Sequence, residues 1–599
     1  MVSRRNLVTI LLMMITVFFM FQFTQVIKVR GNQYDTNEYA KEVIQTADKE
    51  YVPSSEDDTI VFLGKTGTEV YDTVEEWCRY SKRNLKVYDN ADIKDNLKGS
   101  HLILIDSNTT DIVKDQIKIM ALSDYKIPIV FLNLPEVKKI RYEYKFREML
   151  GITKVKDDEV EAKGFQAFGG FLLGGEAAYM PQKKEEEKYN DFDCNIPWYE
   201  TGAGTKTYVV AMMDERRVKA NDFPKLLWRN NYNGTFVFVV ATDVINKDTG
   251  MGFLSAIDYS AYDYSLYPVV NAQNFVLSDY PVIANENDEK IEQIYSMDAM
   301  SLSRDITWPF YLSLSSRYKM KLTCFVNTGY NYPNAGEASR DYLSFYLQQV
   351  KEINGEFGRS LNLNEFDKEF GNKMAADEHF FEDLNDYHYS AAYINRLEDK
   401  AVNMIKEDGT LLRRIHTVVS QREDNDDLLG YLDDTVTIQK ITNVADEYSY
   451  RKELRHRCML TSIGYASTLV DMHKVLYPEK TSDEWQMFSK DVSSYIDTFW
   501  TRNDEFEYTA VSESDTRVRN FLNLDYNEER NGDTLVINLT GTDDAYFVLR
   551  THDEDIVNVE GGDFTNLENN VFMIHAVSDT VTVNFSESKK VLKYDGLLK

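Results

Sequence analysis

The sequence predicts a multidomain α/β protein that begins with a transmembrane helix and ends in a β-sandwich. Three observations support this prediction. The 599 residues are too many for a single hydrophobic core. Residues 7–27 carry no charge, and apolar strand-like runs alternate with helical stretches soon after them. Short strand-like runs separated by turn residues close the chain.

The first element is a signal anchor at residues 1–30, followed by a polar spacer at residues 31–57. A helix over residues 7–27 is long enough to cross the roughly 30 Å hydrocarbon core of a bilayer. No glycine precedes Gly31 and no alanine precedes Ala40, so the usual small-residue cleavage site is missing. Arg4 and Arg5 favour a cytoplasmic N-terminus. We therefore expect a single-pass protein of the cell membrane with an extracytoplasmic body.

The acidic body and the scattered cysteines narrow the range of partners and sites. The formal net charge of −31 argues against binding nucleic acid, although it would suit a cationic ligand. The sequence has no CxxC pair and no HExxH motif, which excludes a zinc ribbon and a zincin site. We expect the four cysteines to be buried free thiols, and one or two long-range disulfides are the alternative. These cysteines are Cys78, Cys194, Cys324 and Cys458.

Residues 58–155 show the pattern of a small parallel α/β domain. Buried strand-like runs at residues 59–64, 101–106 and 127–132 alternate with helical stretches, an order typical of flavodoxin-like or amidotransferase-like domains. The sequence Gly64-Lys65-Thr66 lacks the upstream glycine of a phosphate-binding loop. Cys78 is predicted inside a helix, where a thiol packs rather than attacks. We predict a non-catalytic domain.

The remaining segments are predicted from their local pattern of apolar, polar and turn residues. Residues 156–285 are rich in strand-like runs and form either a small β-domain or extra strands on the neighbouring sheet. Residues 286–500 form the next domain, and its stretch from about residue 370 is predicted to be mainly helical. Strands return over residues 505–599, which predict an antiparallel β-sandwich that binds glycan or caps its neighbour.

The middle of the chain resembles the polysaccharide-deacetylase (NodB-like carbohydrate esterase) family. A helix at residues 310–318, the strand Leu322-Thr323-Cys324-Phe325-Val326 and the segment at residues 354–360 follow one another in that family's order. The resemblance covers residues 296–364 well and extends loosely to about residue 480. It implies a (β/α) barrel-like fold with a helical extension.

When the family's residues are matched to this sequence position by position, the scaffold is retained but the metal ligands are not. The family's Asp-Asp pair falls on Asp298 and Ala299, so the catalytic base remains and one metal ligand is lost. The two metal-binding histidines fall on Ser360 and Asn364. Divalent cations need about three good donors, so we predict no metal and no other cofactor. His473 matches the family's late catalytic histidine.

Each candidate catalytic residue also has a structural explanation. Asp298 could serve as a helix cap or an ion-pair partner, and His473 could be packed on an amphipathic helix. The pair Asp433-Asp434 lies in a predicted loop, where helix capping is the default explanation. Carboxylate pairs for glycosidic chemistry cannot be recognised without distances.

The whole arrangement resembles an uncharacterised family of bacterial membrane-anchored proteins associated with exopolysaccharide loci, pel-like systems among them. This resemblance implies a protein of surface-polysaccharide assembly, a pseudoenzyme that binds glycan or assembles a complex. An active hydrolase or deacetylase using Asp298, His473 and either Asp433 or Asp434, metal-free or with metal ligands from elsewhere, is the first alternative. A purely structural scaffold for membrane-embedded synthesis proteins is the second.

Overall fold

The computed structural model describes residues 58–587 except 94–96, 98, 193, 214–221, 383–388, 398, 407–413, 424–425, 499 and 501–504. The predicted anchor and spacer lie outside this range. Within it, no helix combines the length and apolar character needed to cross a bilayer.

The first layer is a nine-stranded mixed sheet with the spatial order β2-β1-β3-β4-β11-β10-β9-β6-β7. Its parallel half combines β1 to β4, which lie in the predicted α/β domain, with β11 from the following segment, and the rest is antiparallel. The strands of this region, including the separate pair β5 and β8, are β1 (Thr59–Leu63), β2 (Asn84–Tyr88), β3 (Ser100–Asp106), β4 (Ile129–Leu132), β5 (Ile152–Ala162), β6 (Gly164–Ala167), β7 (Ala177–Tyr179), β8 (Cys194–Thr201), β9 (Lys206–Met212), β10 (Lys225–Tyr232) and β11 (Thr235–Val240). Its helices are α1 (Glu69–Tyr80), α2 (Gln116–Leu122), α3 (Val137–Ile140) and α4 (Tyr144–Leu150).

The second layer is a curled half-barrel, a mostly parallel ten-stranded sheet with the order β18-β19-β17-β16-β15-β14-β13-β21-β20, and β22 paired to β13. Its strands are β13 (Ala272–Ser278), β14 (Leu322–Val326), β15 (Glu356–Ser360), β16 (Ala391–Ile394), β17 (Thr417–Gln421), β18 (Leu429–Tyr431), β19 (Thr437–Ile441), β20 (Asn443–Val444), β21 (Tyr465–Asp471) and β22 (Tyr508–Thr509). The helices from α5 onward are α5 (Gly250–Ala261), α6 (Asp288–Tyr295), α7 (Ala299–Leu302), α8 (Trp308–Tyr318), α9 (Arg340–Val350), α10 (Phe366–Glu382), α11 (Asp399–Lys406), α12 (Tyr450–Ile463), α13 (His473–Leu476), α14 (Trp485–Thr498) and α15 (Val511–Asn523).

The third layer is a sandwich of two antiparallel four-stranded sheets. Seven of its strands come from the end of the chain, and the eighth, β12 (Tyr264–Val269), comes from before the half-barrel and pairs with β25. The late strands are β23 (Asp525–Asn531), β24 (Thr534–Thr540), β25 (Ala545–Thr551), β26 (Glu554–Glu560), β27 (Gly562–Glu568), β28 (Val571–Ala576) and β29 (Thr580–Glu587).

The structure changes several sequence-based assignments. The β-rich segment at residues 156–285 divides among all three layers, and β13 places the start of the half-barrel before residue 286. The sheet is open where a barrel was predicted: in the described residues β18 and β20 end the strand order. The stretch after residue 370 alternates strands with helices. Cys78 is buried inside α1, as predicted, and Cys324 and Cys458 are buried free thiols, whereas Cys194, which we also expected to be buried, is exposed at the start of β8.

Helices α5 and α12 join the first layer to the half-barrel through a close backbone contact at Gly252. A Cβ atom at this position would lie 2.4 Å from the Cα atom of Cys458 and 2.7 Å from its carbonyl oxygen. Backbone atoms cannot move aside as the end of a flexible side chain can. Only glycine therefore allows the two helices to pack this closely.

We expect Gly252→Ala to lower the free energy of unfolding by about 1–3 kcal/mol, because the new methyl group forces the two helices apart. Gly371→Ala is the matched control. Gly371 also lies in a helix, α10, but nothing lies within 4 Å of its would-be Cβ atom. Alanine there should be neutral or stabilise the protein by up to about 1 kcal/mol. Urea unfolding of both variants measures the difference, and equal midpoints would contradict the expected role of Gly252.

Candidate functional site

A polar cluster lies at the carboxyl edge of the half-barrel, centred on Asp279. Asp279 follows β13 directly, is buried and has a φ of +51°, an uncommon conformation for a residue other than glycine. Its carboxylate accepts hydrogen bonds from Asn327 Nδ2 at 2.7 Å, Ser360 Oγ at 2.5 Å and Asn362 Nδ2 at 2.9 Å. The three donors follow β14 or end β15, so the parallel topology brings them to one edge.

Backbone contacts fix the direction in which both amides point. Asn327 Oδ1 accepts the N–H of Gly329 at 3.1 Å, and Asn362 Oδ1 accepts the N–H of Asn395 at 2.7 Å. Each amide oxygen is thereby turned to a backbone donor, and each NH₂ group faces Asp279. Donors rather than further ligand oxygens therefore surround the carboxylate.

A second carboxylate, Asp471, stands beside this cluster. Asp471 ends β21, in register with Ser278, and its Oδ1 accepts hydrogen bonds from Ser278 Oγ and the His473 backbone N–H, both at 3.2 Å. Burial raises the pKa of Asp471, and the negative charge of Asp279 raises it further, while His473 and Lys474 oppose the shift.

The raised pKa of Asp471 predicts how stability depends on pH. A carboxyl group whose folded-state pKa is raised favours folding below its unfolded pKa and loses that contribution as the pH rises through the folded pKa. Asp471→Asn imitates the protonated form and keeps an oxygen for Ser278 Oγ. We expect the variant to be more stable than the parent at pH 7 and the difference to shrink toward pH 4. Urea midpoints across pH test this, and a gap that widens on acidification would contradict it.

An aromatic stack covers the neighbouring end of β21. His473, the first residue of α13, has its ring centroid 4.1 Å from that of Tyr330 and 4.7 Å from that of Tyr477. Its Nδ1 atom is buried, and among the described residues it has no hydrogen-bond partner. The two tyrosine rings therefore hold the imidazole in place without a hydrogen bond at Nδ1.

Glu286 holds the aromatic stack in place through hydrogen bonds. Its carboxylate accepts the backbone N–H groups of Tyr330 at 2.7 Å and Asn331 at 2.9 Å, and the hydroxyl of Tyr477 at 2.5 Å. One carboxylate therefore joins the loop after β14 to helix α13. Burial and the contact with Glu286 raise the pKa of the Tyr477 hydroxyl, so this group stays protonated and donates.

The donor set does not fit a divalent cation. In the described part of the chain, no group of three or more His, Cys, Asp or Glu side chains is arranged to hold a metal ion. More directly, Asp279 is enclosed by two NH₂ groups and a hydroxyl that donate to it. A cation in their place would face the amide hydrogens.

A sequence profile of a bacterial family, described as an uncharacterised protein conserved in bacteria (DUF2194), matches residues 203–573. The chain belongs to the DUF2194 family. The matched residues include the whole half-barrel and the candidate site. No curated protein matches this sequence.

Solved structures show which fold this DUF2194 chain has. Agd3, described as a novel carbohydrate deacetylase, aligns over 88% of this chain and 98% of its own, with a TM-score of 0.51 and 9% identity. The likeness establishes that the chain has a fold like that of Agd3. A beta-galactosidase from Rahnella sp. R3 covers 35% of this chain and 34% of its own (TM-score 0.23, 12% identity). An exo-beta-1,4-mannosidase from Opitutaceae bacterium strain TAV5 covers 35% and 33% (TM-score 0.21, 11% identity).

The structure of this DUF2194 chain brings some of the sequence-predicted residues together. His473 and Ser360 lie in the site. Asn364 lies at its rim, where its backbone N–H donates to the Tyr330 carbonyl oxygen at 3.0 Å. Ala299 is buried in the hydrophobic core. Asp433 lies in the turn between β18 and β19, where it accepts the backbone N–H groups of Thr435 and Val436.

Asp298 is placed differently from its predicted catalytic position. It is the N-cap of α7, where its carboxylate accepts the backbone N–H of Ser301 at 2.8 Å and the Ser301 hydroxyl at 3.0 Å. The carboxylate beside Ser360 is instead Asp279. The signal available in the sequence was a strand-like, mostly apolar run followed by an aspartate, Phe275-Val276-Leu277-Ser278-Asp279. The same pattern precedes Asp471, which follows Leu469-Val470. Sequence reasoning missed both.

Proposed function

We propose that this protein is a membrane-anchored, extracytoplasmic component of bacterial surface-polysaccharide assembly. Its deacetylase-like site would bind carbohydrate without metal-dependent deacetylation. The fold that it shares with a carbohydrate deacetylase supports a carbohydrate ligand. The uncharged segment at residues 7–27 supports the anchor. Membrane-embedded polysaccharide-synthesis proteins, pel-like systems among them, are the expected partners.

The observation that carries the proposal is the set of donors around Asp279. Metal-dependent deacetylation needs a cation to activate water and polarise the acyl oxygen. Here Asn327, Ser360 and Asn362 donate to the carboxylate at 2.5–2.9 Å, and backbone N–H groups hold both amides in that orientation. This hydrogen-bond network around the carboxylate supports a site that works without a metal.

The aromatic stack supplies a surface for a sugar ring. Tyr330, His473 and Tyr477 are partly exposed and lie against one another, so the apolar face of a pyranose can pack on them. Asp471 and Glu286 offer carboxylate oxygens close by. With a net charge of −31, the chain would favour a cationic, partly deacetylated glycan. Binding should therefore weaken as salt is raised.

Three measurements test the proposal on the purified full-length chain. Metal analysis after dialysis and acetate release from acetylated hexosamine oligomers are both expected to be blank. Partly deacetylated hexosamine oligomers are expected to bind, with affinity falling between 50 and 500 mM salt, a range of roughly threefold in Debye length. Tightly held zinc, or acetate released in proportion to enzyme, would overturn the proposal.

A matched pair of tyrosine variants locates the binding surface. We expect Tyr330→Ala to weaken binding of the oligomers about tenfold, because it removes one face of the stack, worth about 1–1.5 kcal/mol. Tyr142→Ala is the control, since Tyr142 is 72% exposed on the first layer. Isothermal titration of both variants measures the effect. Equal losses would place the ligand elsewhere.

A metal-free hydrolase is the second candidate. It is favoured by the buried carboxyl group of Asp471, whose pKa is raised, and by the Nδ1 atom of His473, which has no hydrogen-bond partner among the described residues. Product release from glycan oligomers in the presence of a chelator, abolished by Asp471→Asn, would favour this function. A scaffold without glycan binding would show neither activity nor oligomer affinity.

A further inference from the structure

We propose that the first α/β layer holds a binding site for a single polyhydroxylated sugar ring, separate from the half-barrel site. The site is a cavity of about 180 Å³ beside the carboxyl ends of β3 and β4. A cavity of this volume has room for several water molecules, and so for one six-membered ring with its hydroxyls. We call it the Ser107 cavity. It is lined by residues 107–113, Pro135 and Lys139.

The position of the cavity agrees with where open α/β sheets bind ligands. Parallel strands end with their carboxyl ends at one edge, and ligands occupy the crevice outside that edge. Asp106 and Leu132, the last residues of β3 and β4, are paired in register. Ser107 and Asn133 are the next residues on each strand, so they emerge side by side.

Two polar groups at this edge lack partners. Ser107 is 6% exposed and lines the cavity, and its hydroxyl has no hydrogen-bond partner among the described residues. Asn133, the neighbouring residue outside the lining, is 3% exposed and has a φ of +62°, and the described residues offer its Oδ1 atom no donor. Leaving a buried polar group unsatisfied costs about 1–3 kcal/mol. An unsatisfied hydroxyl at the wall of a polar cavity indicates a ligand that satisfies it.

The mixture of groups indicates a polyol rather than an anion. Lys139 and the Ser107 hydroxyl can donate, whereas the Asp111 carboxylate accepts. Sugar hydroxyls both donate and accept, so one ring can serve all three groups. A phosphate would be repelled by Asp111. Val113 and Pro135 offer an apolar edge for the ring carbons.

Neighbouring hydroxyls shape the cavity without competing for the ligand. The Thr109 hydroxyl donates to Asp106 at 2.7 Å and accepts the backbone N–H of Lys65 at 3.1 Å, while the Thr110 hydroxyl donates to the Leu63 carbonyl oxygen at 3.2 Å. These bonds hold the loop after β3 against the end of β1. The wall of the cavity is thus fixed, and the free hydroxyl is the one at Ser107.

The test uses the full-length chain carrying Tyr330→Ala, so that the half-barrel site contributes little. Ligand-observed saturation-transfer NMR is run with N-acetyl-D-glucosamine, D-galactosamine and myo-inositol, and with inorganic phosphate as a competitor. We expect at least one monosaccharide to bind. Ser107→Val, which removes the hydroxyl and adds bulk at the cavity wall, should abolish this signal.

Two exposed lysines on the same short helix provide a matched control that does not disturb the core. Lys139→Met should weaken monosaccharide binding about fivefold, the loss of one hydrogen bond of about 1 kcal/mol. Lys138→Met should leave binding unchanged, because Lys138 does not line the cavity. Absence of binding by every sugar, displacement by phosphate, or equal effects of the two lysine variants would overturn the proposal.

Discussion

Asp279→Ala is expected to lower the free energy of unfolding by about 3–5 kcal/mol. The substitution removes the acceptor of three hydrogen bonds and leaves Ser360 Oγ and the Asn362 and Asn327 amides facing a buried gap. Each buried donor left unsatisfied costs about 1–3 kcal/mol. Alanine is also a poor residue for the φ of +51° at this position.

The control is a second aspartate, Asp298, which differs in its surroundings. Asp298→Ala removes only the cap of the short helix α7, a loss of about 1 kcal/mol. Urea unfolding followed by tryptophan fluorescence compares the two, because Trp308 and Trp500 lie in the half-barrel core. If Asp298→Ala destabilises the protein as much as Asp279→Ala, the hydrogen bonds to Asp279 do not make the large contribution to stability that we assign to them.

Asp377→Ala is expected to lower the free energy of unfolding by about 3–5 kcal/mol, as much as Asp279→Ala. The reason is that it leaves buried cations without their carboxylate. Asp377 lies in α10 with 2% exposure, 2.6 Å from Arg359 Nη2 and 2.9 Å from Lys373 Nζ. Its other oxygen accepts the Thr328 hydroxyl. The network lies under the loop that carries Tyr330, so we also expect Asp377→Ala to weaken glycan binding.

The same ion pairs give a pH dependence with a defined sign. Burial alone would raise the pKa of Asp377, but the charges of Lys373 and Arg359 hold it below its ordinary value. A lowered pKa contributes stability above the unfolded pKa, and this contribution is lost as the pH falls through the folded pKa. The difference between parent and Asp377→Ala should therefore narrow below about pH 4.

An exposed ion pair serves as the comparison. Lys118 Nζ lies 2.9 Å from Asp92 Oδ2, and the two side chains are 44% and 72% exposed, respectively. Asp92→Ala should therefore change the free energy of unfolding by less than about 1 kcal/mol. Urea midpoints at several pH values measure both variants. A loss at Asp377 no larger than that at Asp92 would contradict the role assigned to the buried pairs.

The sequence predicted the parallel strands of the first layer well, for a physical reason. Strands buried on both faces, such as Thr59–Leu63 and Ile129–Leu132, appear as continuous apolar runs. The strands Thr417–Gln421 and Thr437–Ile441 were missed because their buried residues are partly polar. Thr437 Oγ1 donates to Thr417 Oγ1 at 2.9 Å, as does Gln439 Nε2 at 3.0 Å. Such pairing becomes visible only when the two strands are adjacent.

The candidate site was only partly predictable for a related reason. His473 and Ser360 could be found from the resemblance, because short segments carry them. Asp279 receives its donors from residues 48 to 83 positions away in the sequence. Counting back from the strand at Leu322–Val326 led to Asp298, since an inserted helical stretch separates β13 from β14. The end of a strand, rather than a distance along the chain, decides which acid reaches the edge.

The pairing of β12 with β25 has a consequence for how the chain reaches its native state. Tyr264–Val269 is synthesised almost 280 residues before its partner Ala545–Thr551. Until the last segment leaves the ribosome, the edge of this early strand stays open to wrong partners. Closure of the terminal module is thus a late, non-local step, and its loop-closure entropy slows folding. A chain truncated before residue 545 would carry an unpaired edge and be prone to aggregate.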